Sequence, residues 1–152
     1  ETCISGSTIA FIIVKITNLE LIRLNYGEEI VAKAERKVAE ILVENRKEGD
    51  ICGIFREGEF VLFADHTNFD LVRAYGDVRT YVKELNDKLK ECCLDDDRGY
   101  IKCAVGASVY PETSDDYDEL YEMAEKACEK AEHSEDARAV IYDKKEEEVS
   151  RN

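Results

Sequence analysis

The sequence predicts an α/β domain of the α+β sandwich type, in which helices cover a mixed central sheet of about five strands. Short apolar runs of strand length alternate with segments whose apolar residues recur every three or four positions. That alternation is typical of amphipathic helices packed on a sheet. Two of the runs are separated only by residues 56–59, which predicts an antiparallel hairpin in the middle of the chain.

The first strand is predicted over residues 8–16, where TIAFIIVKI is almost entirely apolar and rich in β-branched residues. Such a run is typical of a central strand that is covered on both faces. A turn is expected around residues 25–27, and a helix follows over residues 28–47. The apolar positions predicted to face the core of this helix are Ile30, Val31, Ala34, Val38, Ile41 and Leu42.

The hairpin strands are predicted at residues 51–55 and 60–64, and a long helix follows them. Thr67 or Asn68 can cap that helix, because both side chains accept hydrogen bonds from N–H groups of the first helical turn. Its predicted core-facing stripe consists of Leu71, Tyr75, Val78, Val82, Leu85, Leu89 and Cys92.

A further strand is predicted over residues 100–110, and Pro111 ends it. A helix capped by Ser114 comes next, and a short strand at residues 139–142 completes the order β-α-β-β-α-β-α-β. The core side of this last helix is predicted to carry Tyr117, Leu120, Tyr121, Ala124, Ala127, Cys128 and Ala131. We expect one domain over residues 1–142, with a charged lead-out over residues 143–152 that would connect to a downstream domain.

The formal net charge of −14 argues against partners that are themselves anionic. Phosphates of nucleic acids and of acidic lipids would be repelled over most of the surface. The sequence therefore predicts neither nucleic-acid binding nor direct membrane contact. No apolar run approaches the roughly 18 residues that a membrane-spanning helix needs.

The six cysteines do not form a recognisable metal-binding or disulfide pattern. There is no CxxC, and both histidines lie far from any pair of cysteines. Reduced thiols buried as small apolar side chains are expected, as in a cytoplasmic protein. The cysteines are Cys3, Cys52, Cys92, Cys93, Cys103 and Cys128.

The hairpin turn reads FREGEF, and it carries charge where Asn-Gly or Asp-Gly would close a two-residue turn more readily. IVKITNLELIRLNYG precedes it, and AVGASVYP and LYEMAEKACEKAE follow it. In this order and spacing the four segments resemble the GGDEF family, the diguanylate cyclase domains of bacterial cyclic-di-GMP signalling. The resemblance runs from Ile9 to Tyr142 and implies the palm-like, ferredoxin-related sheet of nucleotide cyclases.

The resemblance also implies a chemistry that can be checked against these residues. Active members join two GTP molecules with two Mg²⁺ ions, which are held by carboxylates of the first strand and of the hairpin turn. The first-strand positions fall on Lys15 and Thr17, and the turn carboxylate falls on Gly58. Because the ammonium group of Lys15 would repel a divalent cation, we expect no Mg²⁺, no GTP turnover and no other cofactor.

Other positions of the family pattern are changed as well. Arg56 and Glu57 stand where the turn has its two glycines. Arg23 falls where an Asn reads guanine, Ala32 where an Asp contacts the base, and Glu132 where a Lys meets phosphate. The stretch Arg56, Glu57, Gly58, Glu59 and Phe60 is therefore interpreted as a vestigial active-site turn without catalytic residues.

Three functions stay open at this point. The first is a catalytically inactive GGDEF-like module that regulates a neighbouring domain. The second is a sensor that binds GTP or cyclic-di-GMP without turnover, with Lys15 and Arg23 contacting phosphate in place of the cation. The third is a cyclase with a rewired site that uses Glu57 and Glu59.

The family's inhibitory product site, Arg-x-x-Asp, falls on Lys47 and Asp50. Lys lacks the planar fork with which Arg holds phosphate or guanine, so only a remnant of that site is predicted. The expected partner is a neighbouring domain of the same polypeptide, such as an EAL phosphodiesterase domain, and a homodimer is also compatible with the sequence.

Overall fold

A computed structural model describes residues 9–44, 51–65, 71–91, 99, 101–110, 116–134 and 139–142. Its centre is a five-stranded mixed sheet of the order β2-β3-β1-β4-β5. The strands are β1 (Ile9–Ile16), β2 (Ile51–Arg56), β3 (Glu59–Asp65), β4 (Cys103–Tyr110) and β5 (Ala139–Ile141). Neighbouring strands are antiparallel except β4 and β5, which are parallel. The predicted mixed sheet with its antiparallel hairpin is confirmed.

Strand β1 lies in the middle of the sheet and is covered on both faces, as its apolar sequence predicts. Ile12 and Val14 belong to one hydrophobic core, and Phe11 and Ile13 belong to the other. Because side chains alternate across a strand, a run that is apolar at every position supplies both cores at once.

Four helices lie within the described ranges, and their bounds are α1 (Leu19–Tyr26), α2 (Glu28–Glu44), α3 (Leu71–Lys90) and α4 (Tyr117–Glu132). Helices α2 and α3 contribute to the larger core, and α4 packs on β4 and β1 from the opposite face. The predicted stripe of α2 is confirmed, with Val31, Ala34, Val38 and Leu42 buried and Ile30 and Ile41 partly buried.

Helix α1 corrects the expected order, since the sequence was interpreted as running from β1 to the turn at residues 25–27 without a helix. Leu19 and Ile22 are buried one turn apart. Leu21 and Leu24 are 59% and 82% exposed. Apolar residues lie all round this short segment, so the 3.6-residue period was obscured. The helix is instead defined by its packing against α2.

The second half of the chain brings smaller corrections. Strand β4 begins at Cys103, three positions later than residue 100. The N-cap of α4 is Asp116, whose carboxylate accepts a hydrogen bond from the N–H of Asp118, so the cap is not the predicted Ser114. Tyr117 was placed in the core but is 55% exposed and stacks on Tyr110.

Several predicted features lie outside the described residues: the caps Thr67 and Asn68, the end of the first long helix at residues 45–47, Cys92 and the lead-out over residues 143–152. Among the helices of the described part, none is long and apolar enough to cross a membrane. The described cysteines Cys103 and Cys128 are buried thiols, as predicted, whereas Cys52 is partly exposed.

Candidate functional site

The hairpin turn of residues 56–60 lies beside the end of β1. Lys15 is the cross-strand partner of Glu59. The N–H of Ile16 donates a hydrogen bond of 2.8 Å to the carbonyl oxygen of Gly58. The two places where the family pattern expects metal-binding carboxylates, the end of the first strand and the turn, are thus neighbours in this chain.

The backbone conformation and a backbone hydrogen bond of Gly58 define the shape of the turn. It has a φ of +76°, and its N–H donates a hydrogen bond of 2.8 Å to Oε2 of Glu35 on α2. A Cβ atom at this position would lie 2.8 Å from Cδ2 of Leu19. A side chain here would therefore be strained by its backbone conformation and would also have to displace a buried leucine.

Lys15 points towards α4 and forms an ion pair with Glu132, with 3.1 Å between Nζ and Oε1. This hydrogen bond raises the pKa of Lys15, against the opposing effect of partial burial. The stabilisation is therefore fully present at neutral pH, where the amine is charged, and is lost only as the pH rises past the raised pKa.

Lys15 and Glu132 both have the opposite charge to the residues that the GGDEF sequence pattern has at these positions. The pattern has an acid where Lys15 stands and a lysine where Glu132 stands, and this chain has the opposite sign at both. The two residues are 117 positions apart in the sequence, yet the fold brings them into contact. Within this pair each charge compensates the other, and position 15 at the end of β1 carries no carboxylate.

A double-mutant cycle can test this interaction. We expect Glu132→Lys to lower the free energy of unfolding, because two ammonium groups would then face each other. Lys15→Glu combined with Glu132→Lys should restore part of the loss. Because both side chains are partly exposed, a coupling of about 0.5 kcal/mol is expected. Urea unfolding of the four proteins measures it, and zero coupling would show that the pair contributes nothing.

Arg23 lies on the other side of the turn and is surrounded by carboxylates. It forms ion pairs with Glu20, Glu28 and Glu57. Hydrogen bonds to these carboxylates, that of Glu57 first, raise the pKa of Arg23. The guanidinium thus connects α1 and the start of α2 with the hairpin turn.

Arg56 and the aromatic residues beside it cover the outer side of the turn. Nη2 of Arg56 lies 3.3 Å from the hydroxyl oxygen of Tyr121, to which it donates. Nε of Arg56 lies 3.6 Å from Oε2 of Glu59. The ring of Tyr121 contacts Phe55 and Phe11, with centroid distances of 5.3 and 5.8 Å. The turn is therefore attached to α4 by an aromatic cluster.

A cleft of about 350 Å³ lies between this turn and α4. Its lining consists of Ile13, Lys15, Arg56, Glu59, Glu125, Cys128, Glu129, Glu132 and His133. At neutral pH four carboxylates thus face the ammonium group of Lys15 and the guanidinium group of Arg56, so that the lining is net acidic and opposes a triphosphate. Among the residues that the structure describes, no group of three or more His, Cys, Asp and Glu side chains could hold a metal ion.

The sequence identified most of the residues that meet here, but missed Glu35 and Tyr121 as parts of the site. Lys15, Arg23 and the turn from Arg56 to Phe60 are brought together. Lys47 and Asp50 lie outside the described residues. Glu35 and Tyr121 carried no motif signal, because each acts through a contact with a segment distant in the sequence.

Cys128 lines the cleft but is not poised to react. Burial raises its pKa to about 12. Its Sγ lies 3.6 Å from the carbonyl oxygen of Ala104. Compared with an ordinary pKa of 9.0, the thiolate fraction at pH 8 is lower by about three powers of ten. We expect iodoacetamide to modify Cys128 about a thousand-fold more slowly in the folded chain than in urea, by peptide mass spectrometry.

The same shift predicts a pH dependence of stability. The unfolded thiol loses its proton above pH 9.0 while the folded one keeps it to about 12. Stability should therefore fall across that window by up to about 1.4 kcal/mol per pH unit from this group. Cys128→Ala is the control, since its stability should fall less steeply. Equal slopes for the two proteins would contradict the shift.

The chain is similar to known proteins in both sequence and structure. The family model described as "Diguanylate cyclase, GGDEF domain" matches residues 2–138. Among solved structures, the active GGEEF domain of a diguanylate cyclase from Vibrio cholerae matches with 17% identity and a TM-score of 0.74, over 90% of this chain and 84% of that one. The comparison with curated proteins gives no significant match.

Two further structures are similar to a comparable degree. The GGDEF domain of DgcB from Caulobacter crescentus, in complex with c-di-GMP, has 16% identity and a TM-score of 0.75, over 91% of this chain and 80% of that one. The GGDEF domain of YfiN from Pseudomonas aeruginosa has 14% identity and a TM-score of 0.78, over 90% and 83% of the two chains. At these identities the likeness establishes the fold.

Proposed function

The chain belongs to the GGDEF family of diguanylate cyclase domains, since the family model covers residues 2–138, and we propose that it is a catalytically inactive regulatory module of cyclic-di-GMP signalling. The family assignment made from the sequence is confirmed. The inactivity and the regulatory role are inferred from the residues at the site.

One observation carries the proposal: three carboxylates beside the turn already form ion pairs with cations of the same chain. The pairs are Glu57 with Arg23, Glu59 with Arg56, and Glu132 with Lys15. Mg²⁺ needs several oxygen ligands in octahedral geometry. A divalent ion would have to displace the resident cations, and none of the positions 15, 17 and 58 offers it an acid.

In this proposal the residues of the site connect the elements around the turn and do not take part in catalysis. Lys15 and Glu132 join β1 to α4, Arg23 joins α1 to the turn, and Glu35 holds the N–H of Gly58. These contacts support a rigid turn that a neighbouring domain could recognise, whereas a two-metal reaction needs an open, acidic cradle.

The first test measures turnover. The 152-residue chain is incubated with GTP and either Mg²⁺ or Mn²⁺, and cyclic-di-GMP is quantified by mass spectrometry. We expect no product above a protein-free blank, with the V. cholerae domain, which is described as active, as the positive control. Steady production that Glu59→Ala abolishes would refute the proposal and favour the rewired cyclase.

The second test separates the regulatory module from a nucleotide sensor. The charges of Lys15 and Arg23 are already compensated by carboxylates of the same chain, which weakens their attraction for a phosphate. We therefore expect no change in melting temperature with GTP or cyclic-di-GMP in EDTA. A ligand present at a hundred times its Kd would add about 2.7 kcal/mol of stability, so that a sensor would show a clear shift.

Relatives indicate what kind of partner a module of this type has. One similar structure is an EAL/GGDEF domain protein from M. capsulatus, and another is the diguanylate cyclase SiaD in complex with its activator SiaC from P. aeruginosa. We propose that this domain acts on a neighbouring domain of its own polypeptide, with an EAL phosphodiesterase as the leading candidate. In such a protein, removing the GGDEF domain should alter phosphodiesterase activity, whereas Glu59→Ala should leave it unchanged.

A further inference from the structure

Strand β2 forms one edge of the sheet and exposes apolar side chains on both of its faces. Ile51 is 66% exposed, Ile54 is 72% exposed and Phe55 is 48% exposed. In the described part of the chain no further strand continues the sheet beyond β2. An exposed apolar edge of this kind is a template for pairing with another strand, and proteins ordinarily protect such edges with charge.

The exposed isoleucines of β2 lie next to residues that pack in or against the two hydrophobic cores. Ile54 is the cross-strand partner of Phe60, which is only 1% exposed. Ile51 is the partner of Phe63, which packs against the smaller core on the α4 face. Both faces of the sheet thus remain apolar at the edge, where no further layer of the described residues closes either core.

From this edge we propose that β2 pairs antiparallel with β2 of a second copy of the chain, about a two-fold axis at Gly53. The sequence of the strand, ICGIFR, is nearly palindromic in its apolar pattern around that glycine. Pairing centred on Gly53 places Ile51 opposite Phe55 of the second copy, and Cys52 opposite its Ile54. Each side chain then meets an apolar partner on the same face of the sheet.

The position of the proposed axis is unobstructed in the single chain. A Cβ atom built at this position has no heavy atom within 4 Å. An isologous interface needs one self-complementary patch, and this strand supplies it. The apolar pattern of β2 is symmetric about position 53, and a second copy of the same strand is the partner that this symmetry fits.

Two features limit the strength of the dimer. The ladder between β2 and β3 is irregular between Ile54 and Arg56, and such a bulge increases the local twist and shortens regular pairing. Each copy also carries a net charge of −14. We therefore expect a concentration-dependent dimer that salt strengthens by screening the repulsion between the two copies.

Sedimentation velocity of the 152-residue chain tests the proposal across protein and salt concentrations. We expect the dimer fraction to rise with both. Ile54→Lys should weaken association at least tenfold, because it places a charge in the apolar ladder. Leu24→Lys is the matched control, since Leu24 is 82% exposed on α1 and is not part of the proposed strand pairing, and it should leave association unchanged. A monomer at every concentration, or equal loss in both variants, would overturn the proposal.

Disulfide trapping tests the axis without weakening the interface. Antiparallel partners have Cα atoms about 4.5–5.5 Å apart, a separation that a disulfide can span. Gly53→Cys should therefore form a covalent dimer under mild oxidation faster than the unmodified chain, whereas Leu24→Cys should not. Cross-linking of Leu24→Cys as fast as Gly53→Cys would show random collision and would contradict the pairing. This result is independent of catalytic activity.

Discussion

A Gly106→Ala variant is expected to lose about 3 kcal/mol or more of its free energy of unfolding, although the change adds a single methyl group. Helix α4 crosses strand β4 at this glycine. A Cβ atom there would lie 2.2 Å from the backbone nitrogen of Cys128 and 2.4 Å from the carbonyl oxygen of Ala124. Because both atoms belong to the helix backbone, no side-chain rotation relieves the overlap, and α4 has to move away from the sheet.

The movement would also disturb contacts that depend on the position of α4. The Ser108 hydroxyl, which is fully buried, donates a hydrogen bond of 2.7 Å to the carbonyl oxygen of Leu120. Thermal unfolding by circular dichroism should show a decrease of about 6–12 °C in Tm, as expected for a loss of 3 kcal/mol in a chain of this size. Urea unfolding should give the free energy directly.

Gly53→Ala is the matched control for this prediction. Gly53 also lies in a strand, but nothing within 4 Å opposes a Cβ atom. Alanine costs less conformational entropy than glycine, so a gain of about 0.5 kcal/mol is expected. If Gly106→Ala and Gly53→Ala had the same stability, the close packing of α4 against β4 at Gly106 would be contradicted.

A Phe60→Ala variant is expected to lose about 3–5 kcal/mol of its free energy of unfolding, which is the largest effect of any residue in the hairpin turn of residues 56–60. The side chain is 1% exposed and belongs to the larger core with Leu62 and Val14. Truncation removes apolar contacts and leaves a cavity that the surrounding sheet cannot fill. Of the five residues of the turn motif, this one fixes the hairpin to the core.

Phe55→Ala is the control, because it makes the same truncation at the other end of the same turn. Phe55 is 48% exposed, so a loss of about 1 kcal/mol is expected from the smaller burial. Glu59→Ala should cost still less, since it removes only a partly exposed ion pair with Arg56. Urea unfolding of the three variants measures the order, and a larger loss for Glu59→Ala than for Phe60→Ala would contradict it.

Particular elements show how far the sequence alone reaches. The stripe of α2 and the double-sided burial of β1 were predicted because the spacing of apolar residues is a local property of the chain. Helix α1 was missed because its apolar residues lie all round the helix, and only the tertiary packing, including that against α2, decides which of them are buried. The cap at Asp116 was missed for a similar reason, since Ser114, Asp115 and Asp116 are equally good capping residues.

For the candidate site, the sequence predicted the residue types but not the contacts between them. Residue types at positions 15, 17 and 58 were sufficient to predict that the metal-binding acids are missing. The partners of the substituted residues were not predictable, because Lys15 and Glu132, and likewise Arg23 and Glu57, lie far apart in the sequence.

By itself, the sequence determined most of the strands and helices and the family to which the chain belongs, and it predicted the loss of the acids that would bind Mg²⁺. The tertiary structure alone decided that Lys15 meets Glu132, that α4 crosses β4 at Gly106, and that β2 is an exposed edge. The physical reason is that periodicity and residue type act within one segment. Ion pairs, close backbone approaches and sheet edges depend on the order in which distant segments assemble.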